Sequence, residues 1–244
     1  REEMIARAVA YLRTKGKDAD GAFSPRMGIG ITAIVVTGLL RCEVSPSTPF
    51  VLKSLKLLES AVQPNGGIYK PNSRLPNYET CVAVMCFAEA NRDGRYDEIL
   101  KKADKYLKEQ IFDEEDGKDK SDVYYGGAGY GGPSRPDLSN TAILLDALKS
   151  TGNDADEEAI QKALIFVSRC QNLESEHNTA EFAAKSNDGG FIYTPVGEGA
   201  STAGTQESGG LRSYGSMTYS GLKSMIYAGL TKEDKRVKAA LKWL

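Results

Sequence analysis

The sequence predicts an all-α fold, a set of helical hairpins whose inner helices meet around a centre while the outer helices form a rim. Three observations carry this prediction. Two kinds of segment alternate along the chain, one charged on a single face and the other apolar nearly all round. The apolar segments open four times on threonine, as Ile31-Thr32-Ala33, Glu79-Thr80-Cys81, Asn140-Thr141-Ala142 and Met217-Thr218-Tyr219. Each opening follows a Gly-rich loop with an aromatic tip: Asp20-Gly21-Ala22-Phe23, Asn65-Gly66-Gly67-Ile68-Tyr69, Tyr125-Gly126-Gly127-Ala128-Gly129-Tyr130 or Asp188-Gly189-Gly190-Phe191. A long-period repeat of this kind marks stacked units, each too small to bury its own apolar face.

The half-charged segments run from Glu2 to Lys15, Phe50 to Val62, Asp97 to Gln110, Asp156 to Gln171 and Lys232 to Leu244. In the third, Ile99, Leu100, Ala103, Tyr106 and Leu107 keep the spacing of one helical face, with Lys and Glu between them. The all-round apolar segments run from Ile31 to Leu40, Thr80 to Ala90, Thr141 to Leu148 and Thr218 to Leu230. A helix wet on one side belongs outside, and one apolar on every side belongs inside. On this basis Val35, Met85, Leu145 and Met225 are hub residues.

Matching threonines stand 48, 61 and 77 residues apart, so the later loops grow while the helices persist. The extra residues lie in 113–130 and 172–214, and a loop of the second size usually has a job or is mobile. Asp154 with Glu157, and Thr231 with Asp234, read as helix N-caps. Gly94, Gly152 and Gly229 read as C-cap glycines. The chain reads as one domain of repeats at about 1–45, 46–95, 96–152 and 153–230, followed by a truncated repeat at 231–244.

Composition limits the function. The 244 residues, 41% hydrophobic and 26% charged, suffice for one large core. A net charge of −2 without a Lys/Arg block argues against a nucleic-acid partner. Apolar runs of about ten residues, such as Ile29 to Leu40, are too short for a transmembrane span. The chain begins Arg1-Glu2-Glu3 without Met or a signal peptide, which reads as a trimmed chain whose compartment is hidden. Cys42, Cys81, Cys86 and Cys170 lack metal spacing and His177 is the one histidine, so no zinc site and no cofactor are expected. The thiols read as small buried hydrophobes.

Gln63-Pro64-Asn65-Gly66-Gly67-Ile68-Tyr69 resembles the Gln-x-x-x-Gly-x-Trp element of squalene–hopene and oxidosqualene cyclases, with Tyr in place of Trp. Ser213 to Tyr219 is similar to the last repeat of bacterial prenyltransferase/squalene-oxidase-repeat proteins. The resemblance covers essentially the whole chain and implies the α/α toroid of terpenoid cyclases and protein prenyltransferase β-subunits. Such a ring has about six hairpins by that resemblance, so four hairpins plus a fifth outer helix imply an incomplete one. In the loop, the Gln63 amide is expected to bond backbone at a helix end and Tyr69 to stack on the next hairpin.

Class II terpenoid cyclases, by the same resemblance, begin catalysis at Asp-x-Asp-Asp-Thr-Ala, whose middle Asp protonates the substrate. Laid on that motif, the chain reads Asp137, Leu138, Ser139, Asn140, Thr141, Ala142. The first Asp is kept, but a hydroxyl and an amide replace the acid pair. Ser139 or Asn140 reads equally as the N-cap of the third inner helix. The zinc ligands of prenyltransferases and a Gly-Cys-Gly-Glu-Gln thioester are missing. Asp113 to Asp119 reads as a solvated acidic loop or a weak cation site.

The candidate catalytic residues are therefore Asp137 and Glu79, the latter being either a buried acid or a first-turn Glu favoured by the helix dipole. Thr32, Tyr78, Asn140, Tyr214 and Tyr219 are the candidate ligand-binding residues. Tyr124, Tyr125 and Tyr130 are placed near the mouth of the same hollow. Aromatic rings around an apolar hollow suit an isoprenoid or steroid-like molecule. The chain thus reads as an isoprenoid-binding or isoprenoid-converting toroid. The alternative is a non-catalytic binding or scaffold module with a protein partner.

Overall fold

A computed structural model describes residues 2–14 and 20–244, without the side chain of Pro25. Among these residues there are ten α-helices and no strand. They are α1 (Glu2–Thr14), α2 (Gly30–Arg41), α3 (Pro49–Glu59), α4 (Pro76–Ala90) and α5 (Asp97–Lys108). There follow α6 (Leu138–Ser150), α7 (Glu158–Arg169), α8 (Glu181–Ser186), α9 (Gly215–Tyr227) and α10 (Lys235–Trp243). All nine helices read from the sequence are present; Lys15, the expected end of the first, lies outside the described residues. The short α8, inside the long loop, gives no sequence-periodic signal at six residues.

The chain divides into two compact units, 1–107 and 108–244. In the first, inner helix α2 packs on outer helix α3 and on the next inner helix α4. In the second, inner helices α6 and α9 pack on each other, α7 lies against both, and α10 lies on α9. Leu145 and Met225 are fully buried, as a hub requires, whereas Val35 and Met85 are half-buried. Two inner helices are not enclosed all round. Ile34 on α2 is 48% exposed, and Tyr219 and Ile226 on α9 are 65% and 54% exposed.

The threonine repeat has one physical task. The Oγ1 of Thr32 accepts the backbone N–H of Phe23 at 2.9 Å, and Thr80 accepts that of Ile68 at 2.9 Å. Thr141 does the same for Ala128 at 3.0 Å and Thr218 for Phe191 at 3.1 Å. All four threonines are fully buried, so each hydroxyl satisfies a loop amide that has no water. Two residues before each clamped amide stands a glycine with positive φ: Gly21, Gly66, Gly126 or Gly189. There the loop backbone presses on the next outer helix, respectively α3, α5, α7 and α10. The repeat is thus a double fastening of loop to inner helix and loop to outer helix.

The remaining loop chemistry follows the same logic. Gln63 Nε2 donates to the carbonyls of Ala61 and Tyr69, and Tyr69 packs on Tyr106 of α5 with ring centroids 6.0 Å apart. Gln171 Nε2 donates to Gly189 O and to Arg236 O of α10.

Several helix ends differ from expectation. Asp154 and Thr231 form turns one step upstream of the helices, with Asp154 O accepting Glu157 N–H and Thr231 O accepting Asp234 N–H. The N-caps are Glu157 and Asp234, since the polar residue nearer the first helical turn takes the position. Asp137, not Ser139 or Asn140, caps α6. Gly152 and Gly229 do close α6 and α9, whereas Gly94 lies beyond the C-cap Asn91 of α4.

The equivalent closing position on α2 is held by Glu43, at φ 63. Its N–H reaches Leu40 O and that of Val44 reaches Leu39 O, the pattern that usually uses glycine. Glu43→Gly is expected to stabilise the chain by about 0.5–1 kcal/mol, because a Cβ is disfavoured at left-handed φ. Thermal or urea unfolding measures it; an unchanged or lower midpoint contradicts it.

Candidate functional site

Buried carboxylates locate the candidate chemistry. Among the described residues, Asp137 and Glu79, each 2% exposed, are the buried acids. Each stands at the start of an inner helix, one in either unit.

Asp137 takes extended backbone (φ −146) ahead of α6. Its Oδ1 accepts Asn140 N–H at 2.9 Å and its Oδ2 accepts Asn140 Nδ2 at 2.7 Å. The Tyr193 hydroxyl faces the carboxylate and favours its charged form. Tyr193 comes from the long loop, held there because Leu138 N–H donates to Tyr193 O at 2.8 Å and Thr194 Oγ1 to Pro136 O at 2.9 Å. Tyr193 in turn faces Tyr130, which is 39% exposed. Tyr214, the N-cap of α9, faces the same acid electrostatically. The long loop therefore has a structural job, delivering Tyr193 to the start of α6.

Burial raises the Asp137 carboxyl above its ordinary 3.8, while the Asn140 and Tyr193 donors oppose that rise. Burial and the facing Asp137 push the Tyr193 hydroxyl well up. A raised folded-state value means that Asp137 favours folding when protonated and loses that contribution as pH rises through the folded value. The stability of Asp137→Asn relative to the native chain is therefore expected to be greatest at neutral pH. It should decline as pH falls toward 3.8. Urea midpoints at several pH values check this; a difference that grows on acidification contradicts it.

Glu79 reaches from the first turn of α4 to the start of α2, where its Oε1 accepts Ile29 N–H at 2.9 Å. Ile29 is the N-cap of α2 and has no polar side chain, so Glu79 supplies the cap from the neighbouring helix. Its Oε2 has no hydrogen-bond partner.

The other candidates are distributed unevenly. Asn140 is buried against Asp137. Thr32 is committed to the Phe23 clamp. Tyr78 is half-buried, with its ring beside Gly30 at the start of α2. Tyr219 stands apart in solvent. Tyr193 escaped sequence reasoning; the alternation Phe191-Ile192-Tyr193-Thr194 after the glycine pair was the one signal available.

The acidic loop is structural. Asp113 caps a 3₁₀ turn at Glu114–Asp116 and pairs with Lys162 of α7 at 2.9 Å. Among the described residues no group of three His, Cys, Asp or Glu side chains could hold a metal, and no helix is long and apolar enough to cross a membrane. Cys81, Cys86 and Cys170 are buried, and burial pushes the Cys86 thiol up to about 12, which makes it a poor nucleophile. Cys42 is exposed instead, because it falls at the C-cap of α2 rather than inside the helix.

No protein-family model and no curated protein sequence matches the chain. Its fold is that of solved terpene cyclases. It is similar to the type II terpene cyclase MstE from Scytonema in complex with geranylgeranyl dihydroxybenzoate, its substrate (TM-score 0.57, 16% identity, 98% of this chain covered). The same enzyme with merosterolic acid A, its product, gives a TM-score of 0.56 at 16% identity over 98% of this chain. The apo enzyme gives 0.56 at 16% over 98%. The chain spans about 60% of the length of these proteins. The all-α, toroid-type fold read from the repeats is thus shared with terpenoid cyclases.

Proposed function

We propose that this chain binds an isoprenoid on the apolar open faces of its inner helices and does not protonate it at Asp137. The exposed stripe on α9 carries the reading. Tyr219 and Ile226, two turns apart, are 65% and 54% exposed on a helix whose other sides meet α6, α7 and α10. Ile34 on α2 repeats the feature in the first unit. Large apolar side chains left open on otherwise packed helices suit a long hydrocarbon. The likeness to the fold of MstE, solved with a geranylgeranyl compound, supports the ligand class.

The hydrogen bonds at Asp137 support the non-catalytic half. Both oxygens receive donors, as an anionic helix cap requires, and Ser139 stands where the resembled motif places its acid. An acid that must release a proton to an alkene needs one oxygen clear of such donors.

Incubation with squalene and geranylgeranyl compounds, gel filtration and mass spectrometry of the extract test both halves. The expected result is lipid that travels with the protein unchanged. A cyclised product overturns the non-catalytic half, and absence of lipid overturns binding in favour of a scaffold. Tyr219→Asp and Ile226→Asp should each cut retention at least tenfold while leaving stability within about 0.5 kcal/mol, since both positions are exposed.

A further inference from the structure

The two buried carboxylates differ in one respect. Asp137 has donors on both oxygens, whereas Glu79 has Ile29 N–H on Oε1 and nothing on Oε2. Glu79 is nonetheless 2% exposed, so bulk water does not supply the missing donor. Its seat is built for it. Gly28 has φ 78, and a Cβ at that position would lie 1.9 Å from Oε1, so only glycine leaves room for the carboxylate. The group is thus fixed on one oxygen, at the N-terminus of α2, with the other oxygen reserved. Buried acceptors without donors are rare in folded proteins and call for an explanation.

We propose that Glu79 Oε2 accepts a hydrogen bond from a hydroxyl of a ligand bound within the first unit, at the open face of α2, which makes that ligand an isoprenoid alcohol. This deepens the isoprenoid-binding reading and rests on it. A carboxylate accepts and does not donate, and it repels anions. A plain hydrocarbon leaves Oε2 unanswered, and a diphosphate adds like charge beside it. A terminal or ring hydroxyl satisfies the oxygen and keeps the rest of the molecule apolar.

Binding of geranylgeraniol, its methyl ether and geranylgeranyl diphosphate to the intact chain tests this. The ether keeps the shape and removes only the donor. The alcohol is expected to bind about tenfold or more tighter than the ether, as a hydrogen bond to a charged group warrants, and the diphosphate weakest. In Glu79→Gln the amide oxygen still caps Ile29 while the amide nitrogen, a donor, replaces Oε2. The ether should then match or exceed the alcohol, with an unchanged circular-dichroism spectrum. Equal binding of alcohol and ether to the native chain overturns the assignment, leaves the isoprenoid reading intact and reduces Oε2 to a seat for a structural water. Failure of all three to bind overturns both. A Glu79→Gln chain that misfolds shifts the decision to the alcohol-to-ether ratio of the native chain, which settles it alone.

Discussion

Gly126→Ala is expected to cost about 3–5 kcal/mol, a large part of the total stability of an ordinary domain. Two effects combine at this position. Its φ of 80 disfavours any Cβ, and the Cβ would fall 1.9 Å from the carbonyl oxygen of Lys162 in α7. That obstacle is helix backbone, which yields only if α7 moves as a body. If the loop yields instead, it strains the Gly126 N–H to Phe112 O bond at 2.8 Å and the Thr141 clamp on Ala128. Gly152→Ala is the matched control. Its φ is 90 but nothing lies within 4 Å of the added carbon, so about 1–2 kcal/mol is expected there. Urea midpoints for the two variants separate conformation from contact. Equal losses would show that the loop does not press on the helix.

Arg169→Met is expected to cost about 3 kcal/mol. Arg169 is 9% exposed and its guanidinium meets backbone carbonyls instead of a carboxylate. It donates to Asp122 O at 2.6 Å, His177 O at 3.3 Å, Tyr125 O at 3.5 Å and Lys120 O. One side chain thus ties both long loops, 113–130 and 172–214, to the end of α7. Burial lowers its proton affinity, but a guanidinium stays charged, and the fork of donors answers several carbonyls at once. Methionine fills the stem volume and withdraws the guanidinium from those carbonyls. Asp122 O keeps the Tyr125 N–H, and each of the other three loses its donor at about 1 kcal/mol or more. Arg169→Lys should recover only a part, because an ammonium cannot span the same acceptors. Calorimetry decides; a loss under 1 kcal/mol for Arg169→Met would show that water replaces the guanidinium.

The helices were legible because their apolar periodicity is local. Ile99, Ala103, Tyr106 and Leu107 declare the face of α5 within one element, and Ala103 and Leu107 are indeed fully buried. The threonine register was legible as a repeat, although its purpose, a hydroxyl on a loop amide, appears only in three dimensions. The parts that escaped depend on distant pairing. Leu138 meets Tyr193 across 55 residues, and Glu79 caps a helix whose N-cap residue, Ile29, lies 50 residues earlier. Neither leaves a periodic trace. The role of Arg169 escaped as well, because nothing in α7 reveals that two loops fold over it. The exposure of Tyr219 and Ile226 was hidden for the opposite reason: apolar residues all round a helix predict burial, and an open apolar face violates that rule.

The claim on which the functional account depends is that the open faces of the inner helices hold the ligand. A geranylgeraniol carrying a photoreactive diazirine on its chain, crosslinked to the protein and mapped by peptide mass spectrometry, measures this directly. Label is expected on the peptide that contains Tyr219 to Ile226 of α9 and, as a separate site within the first unit, on the peptide that contains Ile34 of α2. Label confined to the open groove of about 970 Å³ between α1 and the end of α2, lined by Ile5, Val9 and Val44, would contradict the account.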